Sequence, residues 1–292
     1  LIYRGVNIIN LSFGVQANTN VHTLSKLFNY ITNSNKITVV ASAGNSTLHP
    51  VIQPSAAPNI ISVGSLCEDN TLSYYNSYKD AFTKVPKPNI IDYDYIKLPN
   101  FNNSATSFAA PRVTAKAARL MEFSYSFRNN PQLLMSVLQA GAMKDFTTIH
   151  TLKYNSNGFE ERYGTGKIDY YNSLNILTNG NYSNFYISRA TSNNTTLMNR
   201  TIYLRRNEPL TISLSTLVPS SNSETVWDLE SVSRFKIIIK NNNTIVKEIS
   251  SDYPTIYLKY NPSKSDYYSI QIILIDNNTK NIDLKYSYAY NI

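Results

Sequence analysis

Two regimes of hydrophobic patterning divide this chain. In the first, short β-branched runs alternate with stretches of helical spacing. Val6-Asn7-Ile8-Ile9-Asn10-Leu11-Ser12 is an apolar run that stops at Phe13-Gly14, which predicts a strand ended by a turn. Residues Val21 to Asn33 carry Leu24, Leu27, Phe28 and Ile31 at helical spacing, which predicts one buried face. Ile37-Thr38-Val39-Val40-Ala41 and Ile60-Ile61-Ser62-Val63-Gly64 are further candidate strands. Strand, helix, strand with short connections is the pattern of a right-handed crossover in a parallel sheet. Residues Leu66 to Asn100 show no helical pattern and are expected to run as strands and loops over the surface.

A helix start follows at Asn103-Ser104-Ala105-Thr106-Ser107-Phe108-Ala109-Ala110-Pro111, where hydroxyl residues precede an alanine-rich run. Pro111 falls in the first turn, where a missing N–H is harmless. Pro131 to Ala142 has Leu133, Leu134, Val137 and Leu138 on one face and is expected to be an outer helix. Tyr163-Gly164-Thr165-Gly166 is a glycine turn feeding a last helix, Tyr170 to Leu177.

The second regime begins near Tyr186 and contains no helical pattern. Residues 200–204, 210–214, 235–240, 255–258 and 267–273 are β-branched or aromatic segments separated by Asn, Ser or Pro clusters. Regular short strands with polar turns predict an antiparallel sandwich. The expected fold is therefore an α/β unit over 1–180, a parallel sheet with helices on both faces, followed by an all-β antiparallel sandwich over 181–292. A length of 292 residues agrees with two cores rather than one.

Composition removes several function classes. No apolar run approaches the ~20 residues needed to span a bilayer, so no transmembrane segment is expected. The formal charge is +8, but Lys and Arg are scattered and no basic stripe is interleaved with aromatics. That favours a solvated basic surface over a nucleic-acid face. Cys67 is the only cysteine, so no intrachain disulfide is available. No Asp/Asn-rich loop resembles a calcium site, and neither metal nor cofactor is expected.

Candidate chemistry gathers at the helix start. A serine at a helix N-terminus has free backbone N–H groups and the positive end of the dipole beside its oxygen, an environment suited to an alkoxide or oxyanion. Ser107 occupies such a place, although a capping role would explain it equally. Ser42-Ala43-Gly44-Asn45-Ser46 follows the strand at 37–41, and ligands in open parallel sheets bind beyond the C-terminal strand ends. Asn45 offers a carboxamide there, beside small residues that admit a substrate backbone. By itself it could equally be a turn residue.

Taken in order, Ile9 to Gly14, Val39 to Asn45, Ile60 to Gly64, Ala105 to Pro111 and Tyr163 to Gly166 resemble the subtilisin-like serine peptidases. Each motif alone is weak; five in the family's order are specific. The resemblance covers about residues 1 to 177. It implies a peptide-bond hydrolase acting through an acyl-enzyme, with Ser107 as nucleophile and Asn45 as the side-chain donor of the oxyanion hole. The segments Ser12-Phe13-Gly14 and Ser42-Ala43-Gly44 would flank an extended substrate, and Ser46 would lie near the floor of the pocket. The uncharged Ser46 implies a neutral side-chain preference. The implied partners are protein or peptide substrates, and the implied location is outside a bacterial cell or on its surface.

The departures are as informative. A serine hydroxyl needs an adjacent base oriented by a third group. In this family the acid and the base precede the segment matching Ile9 to Gly14, and neither of their motifs occurs here. The three histidines, His22, His49 and His150, lack the expected glycine neighbour. Ala105 replaces a glycine two residues before the nucleophile. Lys87-Pro88-Asn89-Ile90 is similar to the family's Lys-Pro-Asp-Ile, but the Ala-Pro-Gly that follows in the family is absent. The expectation is a fragment of a peptidase whose missing N-terminal part supplies the Asp and His. The alternative is a degenerate peptidase retained as a surface binding or adhesin-like protein.

Overall fold

The computed structural model describes residues 2–16, 23–79, 85–98, 101–220, 227–280 and 282–292. Its first half is built on a four-stranded parallel sheet in sequence order: β1 (Ile8–Leu11), β2 (Thr38–Ser42), β3 (Ile61–Leu66) and β4 (Ile90–Tyr93). Between the first two strands runs α1 (Thr23–Asn35). A small hairpin of β5 (Tyr95–Leu98) and β6 (Phe101–Ser104) then leads into α2 (Thr106–Phe123), and α3 (Pro131–Ala140) and α4 (Tyr170–Thr178) complete this unit.

Strand alternation decides which helix covers which face. Val40, Ile61, Val63 and Ile90 pack with Ala109, Ala110, Val113 and Ala117 of α2 on one side. Ile9, Leu11, Val39 and Ala41 pack with Ile31 of α1 on the other. The alanines of α2 let it lie close to the sheet, where it touches all four strands. Both faces are thus covered, as an all-parallel sheet requires.

The second half holds two four-stranded antiparallel sheets. Its strands are β7 (Tyr182–Ile187), β8 (Thr196–Leu204), β9 (Leu210–Thr216), β10 (Arg234–Asn241), β11 (Thr244–Ser251), β12 (Thr255–Tyr260), β13 (Asp266–Asp276) and β14 (Leu284–Asn291). One sheet has the order β11-β10-β13-β8 and the other β12-β9-β14-β7. Ile237, Ile239, Ile270 and Ile272 of the first share one core with Ile212, Leu214, Ile256, Leu258 and Tyr286 of the second. The chain is an α/β unit followed by a β-rich one.

Several expectations needed correction. Pro111 lies inside α2, past its first turn, and not at the helix start. The stretch from Leu66 to Asn100 is not all surface: Ile90 and Ile91 of β4 are fully buried and complete the parallel sheet. The run Ile90-Ile91-Asp92-Tyr93 is too short and too polar at its end to stand out by periodicity. Leu27 lies on the exposed side of α1, whose buried positions are Ser25, Asn29, Ile31 and Thr32. Finally, α3 is not an outer helix. Each of its ten residues is buried, because its second face meets β9 and β14. Gln139 Oε1 there accepts from Ser213 Oγ at 2.8 Å, and Ser136 Oγ donates to the carbonyl of Ser287 at 2.8 Å.

Other polar links join the units. Asn59 donates to the Val218 carbonyl at 2.9 Å and accepts from its N–H at 2.7 Å, a closed two-bond pair. The Tyr257 N–H donates to the carbonyl of Asn157 at 2.8 Å.

Candidate active site

The C-terminal ends of β1 and β2 and the N-terminus of α2 meet at one edge of the parallel sheet. Ala105 is the N-cap of α2, extended and without a side-chain cap bond. Ser107 is therefore the second helical residue and not the cap. The helix instead receives its cap from another segment. Asn45 Oδ1 accepts from the Thr106 N–H at 2.9 Å and from Thr106 Oγ1 at 2.8 Å. With both bonds made to the amide oxygen, the Asn45 NH2 group is left as the free end of an exposed side chain.

Thr106 is the hub that composition and motif order did not single out. Its buried hydroxyl donates to Asn45 and accepts the Gly44 N–H at 3.2 Å. The only sequence signal was its place beside Ser107. Ser77 clamps the same loop from outside. Its N–H donates to the Gly44 carbonyl at 3.0 Å, and its hydroxyl donates to the Ser46 carbonyl at 2.8 Å. Gly44 has φ +112, and a Cβ there would stand 2.8 Å from Ser77 Oγ, so this position needs glycine.

The end of β1 is tied to the same helix. Ser12 Oγ donates to the Ser107 carbonyl at 2.7 Å and accepts from Asn10 Nδ2 at 2.9 Å. Gly14 lies against Ile52 and Gln53, and Phe13 is exposed. Ser12, Gly14, Gly44, Asn45 and Ser107 thus belong to one connected neighbourhood, with Ala43 bonded through its N–H to Val63 and Ser42 buried in β2. Ser46 is half-buried, and its hydroxyl accepts from the Leu48 N–H at 3.3 Å.

The local charge favours an anion. No acidic residue occurs in the first turn of α2, so the positive end of its dipole is not offset there. Neither the hydroxyl nor the N–H of Ser107 has a hydrogen-bond partner among the described residues. Neither His49 nor His150 hydrogen-bonds to it. His49 is exposed on the loop beyond Asn45, and His150 lies near Arg162 and Glu160, its pKa lowered mainly by burial. His22 falls outside the described residues.

Where the resemblance led to an expected Ala-Pro-Gly, the chain has Asp92-Tyr93-Asp94. Asp94 is fully buried and accepts from Ser73 Oγ and the Tyr75 hydroxyl, while its carbonyl takes the Ala105 N–H at 3.1 Å. Burial, and then this carboxylate, hold the Tyr75 phenol well above its ordinary value. Asp92 pairs with Lys116 of α2 at 2.6 Å, yet burial outweighs that ammonium and keeps its carboxyl above the usual range. The Asp92 side chain and the Asp94 carbonyl thus tie β4 and the residue after it to α2 and its N-cap.

The model of the subtilase family matches residues 1–166, so the chain belongs to the subtilase family of serine peptidases. It is 30% identical over 139 residues to the thermophilic serine proteinase of Bacillus sp. (strain AK1), an alignment covering 46% of this chain. The chain spans about a third (32%) of that proteinase's length. Among solved structures it is similar to the prenylagaramide maturation protease PagA, with TM-score 0.46 and 23% identity over 60% of this chain and 63% of that one. The patellamide maturation protease PatA gives TM-score 0.48 and 20% identity over 62% of this chain and 66% of that one. No helix among the described residues is long and apolar enough to cross a membrane, and none of their His, Cys, Asp and Glu residues group as a metal site.

Proposed function

We propose that this chain carries the nucleophile and oxyanion half of a serine endopeptidase site. Ser107 Oγ attacks the scissile carbonyl, and the developing oxyanion is received by the Asn45 carboxamide and the Ser107 N–H. The observation that supports this best is the orientation of Asn45. Its oxygen is engaged twice by Thr106, which leaves its donor group for a ligand beside Ser107. Ser12 to Gly14 and Ser42 to Gly44 flank an extended peptide, and the uncharged Ser46 admits a neutral side chain.

The proton of Ser107 needs a base, and no histidine bonds to it among the described residues. In this reading the Asp and His come from outside this sequence. Residues 1–180 form part of the peptidase domain, and 181–292 form an appended β-sandwich. The protein acts on peptides outside the cell or on its surface.

Labelling by a fluorophosphonate, which forms a covalent bond only with an activated serine, tests this on the full-length protein. The expected result is one label, lost in Ser107→Ala. A full-length protein that stays unlabelled at Ser107 would overturn the peptidase reading in favour of a binding protein built on the same cleft.

A further inference from the structure

A second pocket, of about 600 Å³, opens where the loop after α3 meets β11 and β12. Its lining includes Lys144, Tyr154, Lys247, Tyr257 and Lys259. Nothing in the proposed peptidase chemistry uses it. We infer that this pocket is a binding site for a small oxyanion ligand, one bearing a phosphate or carboxylate group.

The argument is a balance of charge. Three ammonium groups line one cavity, and none of them forms an ion pair among the described residues. Two carboxylates lie at the pocket, Glu248 in its lining and Glu160 beside Lys144, and each has other partners. Glu248 lies 3.7 Å from Lys236 on the neighbouring strand. Glu160 is buried, and its oxygens accept the backbone N–H groups of Lys153, Arg162 and Tyr163. Three lysines outnumber the one lining carboxylate, and Glu160 offsets the charge of Lys144 only in part, so the pocket keeps a net positive field, an arrangement that concentrates anions.

Lys144 shows the cost of burying an ammonium beside a second cation. Its Nζ sits 5.0, 5.2 and 5.8 Å from the ring centroids of Tyr154, Tyr163 and Tyr257. Burial, and then the charge of Lys259, push its ammonium down to about 8. The aromatic faces attract the cation but provide no acceptor oxygen. An oxyanion between Lys144 and Lys259 would supply acceptors for both and relieve their repulsion. Tyr257 adds a buried hydroxyl in the same wall that has no hydrogen-bond partner among the described residues.

The site is held in a fixed shape by the junction of the two units. Gly158 has φ +87 and packs so closely on β12 that a Cβ there would stand 1.8 Å from the Tyr257 carbonyl. The Asn157 side chain donates to the carbonyl of Thr255 at 2.9 Å. The loop at 157–158 is thereby fastened to the strand that carries Lys259, and Lys144 lies close enough for the Lys259 charge to act on it.

Isothermal titration of the whole protein with pyrophosphate and with citrate, at matched ionic strength, tests the inference. Saturable binding of either is expected, and the difference between them tells a phosphate-bearing from a carboxylate-bearing ligand. The double variant Lys144→Gln, Lys259→Gln should bind at least about tenfold more weakly, the scale of losing charge-assisted bonds. The double variant Arg119→Gln, Lys280→Gln, an exposed control outside the pocket with the same change in charge, should bind as the parent does. Failure of both anions to bind, or equal weakening by the control, would overturn the site. Fluorophosphonate labelling of Ser107 reads the peptidase proposal separately, so the two can fail independently.

Discussion

The exposed carboxamide of Asn45 and the buried hydroxyl of Thr106 divide one task between them. In the proposed mechanism Asn45 supplies a donor, and Thr106, bonded to its amide oxygen, fixes where that donor points. Asn45→Ala removes the donor itself, and the expected loss in turnover is about 10²–10³, the order known for a subtilisin lacking its oxyanion asparagine. Thr106→Val keeps Asn45 but removes the hydroxyl that accepts from Gly44 and donates to the amide oxygen. A fall in kcat of about tenfold with KM little changed is expected, as for one hydrogen bond to a group that acts in the transition state. Steady-state kinetics of the active full-length protein separates the two, and a Thr106→Val loss equal to that of Asn45→Ala would deny the division.

Lys144 gives a prediction of a different kind. Its folded pKa lies below the ordinary value, so folding favours the neutral amine. Between about 8 and 10.5 the unfolded chain keeps a proton that the folded chain has released, and this group makes stability rise with pH. Below about 8 the buried charge is a standing penalty. Lys144→Met lacks the effect. The stability of the parent minus that of the variant should therefore climb across this window in urea titrations at constant salt. Lys259, Glu160 and the three tyrosines are common to both proteins, so parallel profiles would contradict the cause assigned here.

At the scale of elements, the site depends on how strand ends and one helix start are pinned. The Tyr163 to Gly166 turn does this for β4. The Thr165 N–H donates to the Asn89 carbonyl at 3.0 Å, and the Ile91 N–H donates to the Gly166 carbonyl at 3.0 Å. Gly164 has φ +63, and an added Cβ would stand 2.2 Å from the Asn89 carbonyl oxygen. Gly164→Ala should destabilise by at least about 1–3 kcal/mol from its backbone conformation alone. A denaturant midpoint unchanged from the parent would show that the turn yields.

The same scale explains what could be read from sequence. β1, β2, β3 and the start of α2 were legible because buried β-branched runs and an alanine-rich helix are local signals. The motif order then supplied Asn45 and Ser107 together. Thr106 was not legible as a hub, since its role depends on a loop 61 residues away. Nor were β7, β11 and β14 predicted. β11 is mostly exposed, and β14 alternates tyrosine with lysine, serine and alanine rather than aliphatic residues. α3 was read as half-exposed because its own period marks only one apolar face. Its polar residues Gln132, Ser136 and Gln139 are buried against the β-rich unit or its surroundings, which local pattern cannot reveal.

For the whole molecule, α3 belongs to the packing of both units. It contributes Leu133, Leu134, Val137 and Leu138 to the core beneath the parallel sheet, and Ala289 of β14 belongs to that same core. On the opposite face of the sheet, Val218, Trp227 and Val232 join Ile9, Val39 and Ala41. A single unfolding transition is expected, with calorimetric and van't Hoff enthalpies in agreement. Asn59→Ala, which leaves both polar groups of Val218 buried without their partner, should lower the whole transition by about 1–3 kcal/mol. Two separated transitions in the parent would show that the units melt independently.

A helix buried on both sides also bears on inheritance. Domains strung in series are ordinarily exchangeable between lineages, since each closes its own surface. Here the β-rich half cannot be replaced by an unrelated module without stranding Gln139, Ser136 and the Asn59 pair among mismatched neighbours. An exchanged β-rich half would have to bring residues on β9 and β14 that match the polar and apolar positions of α3.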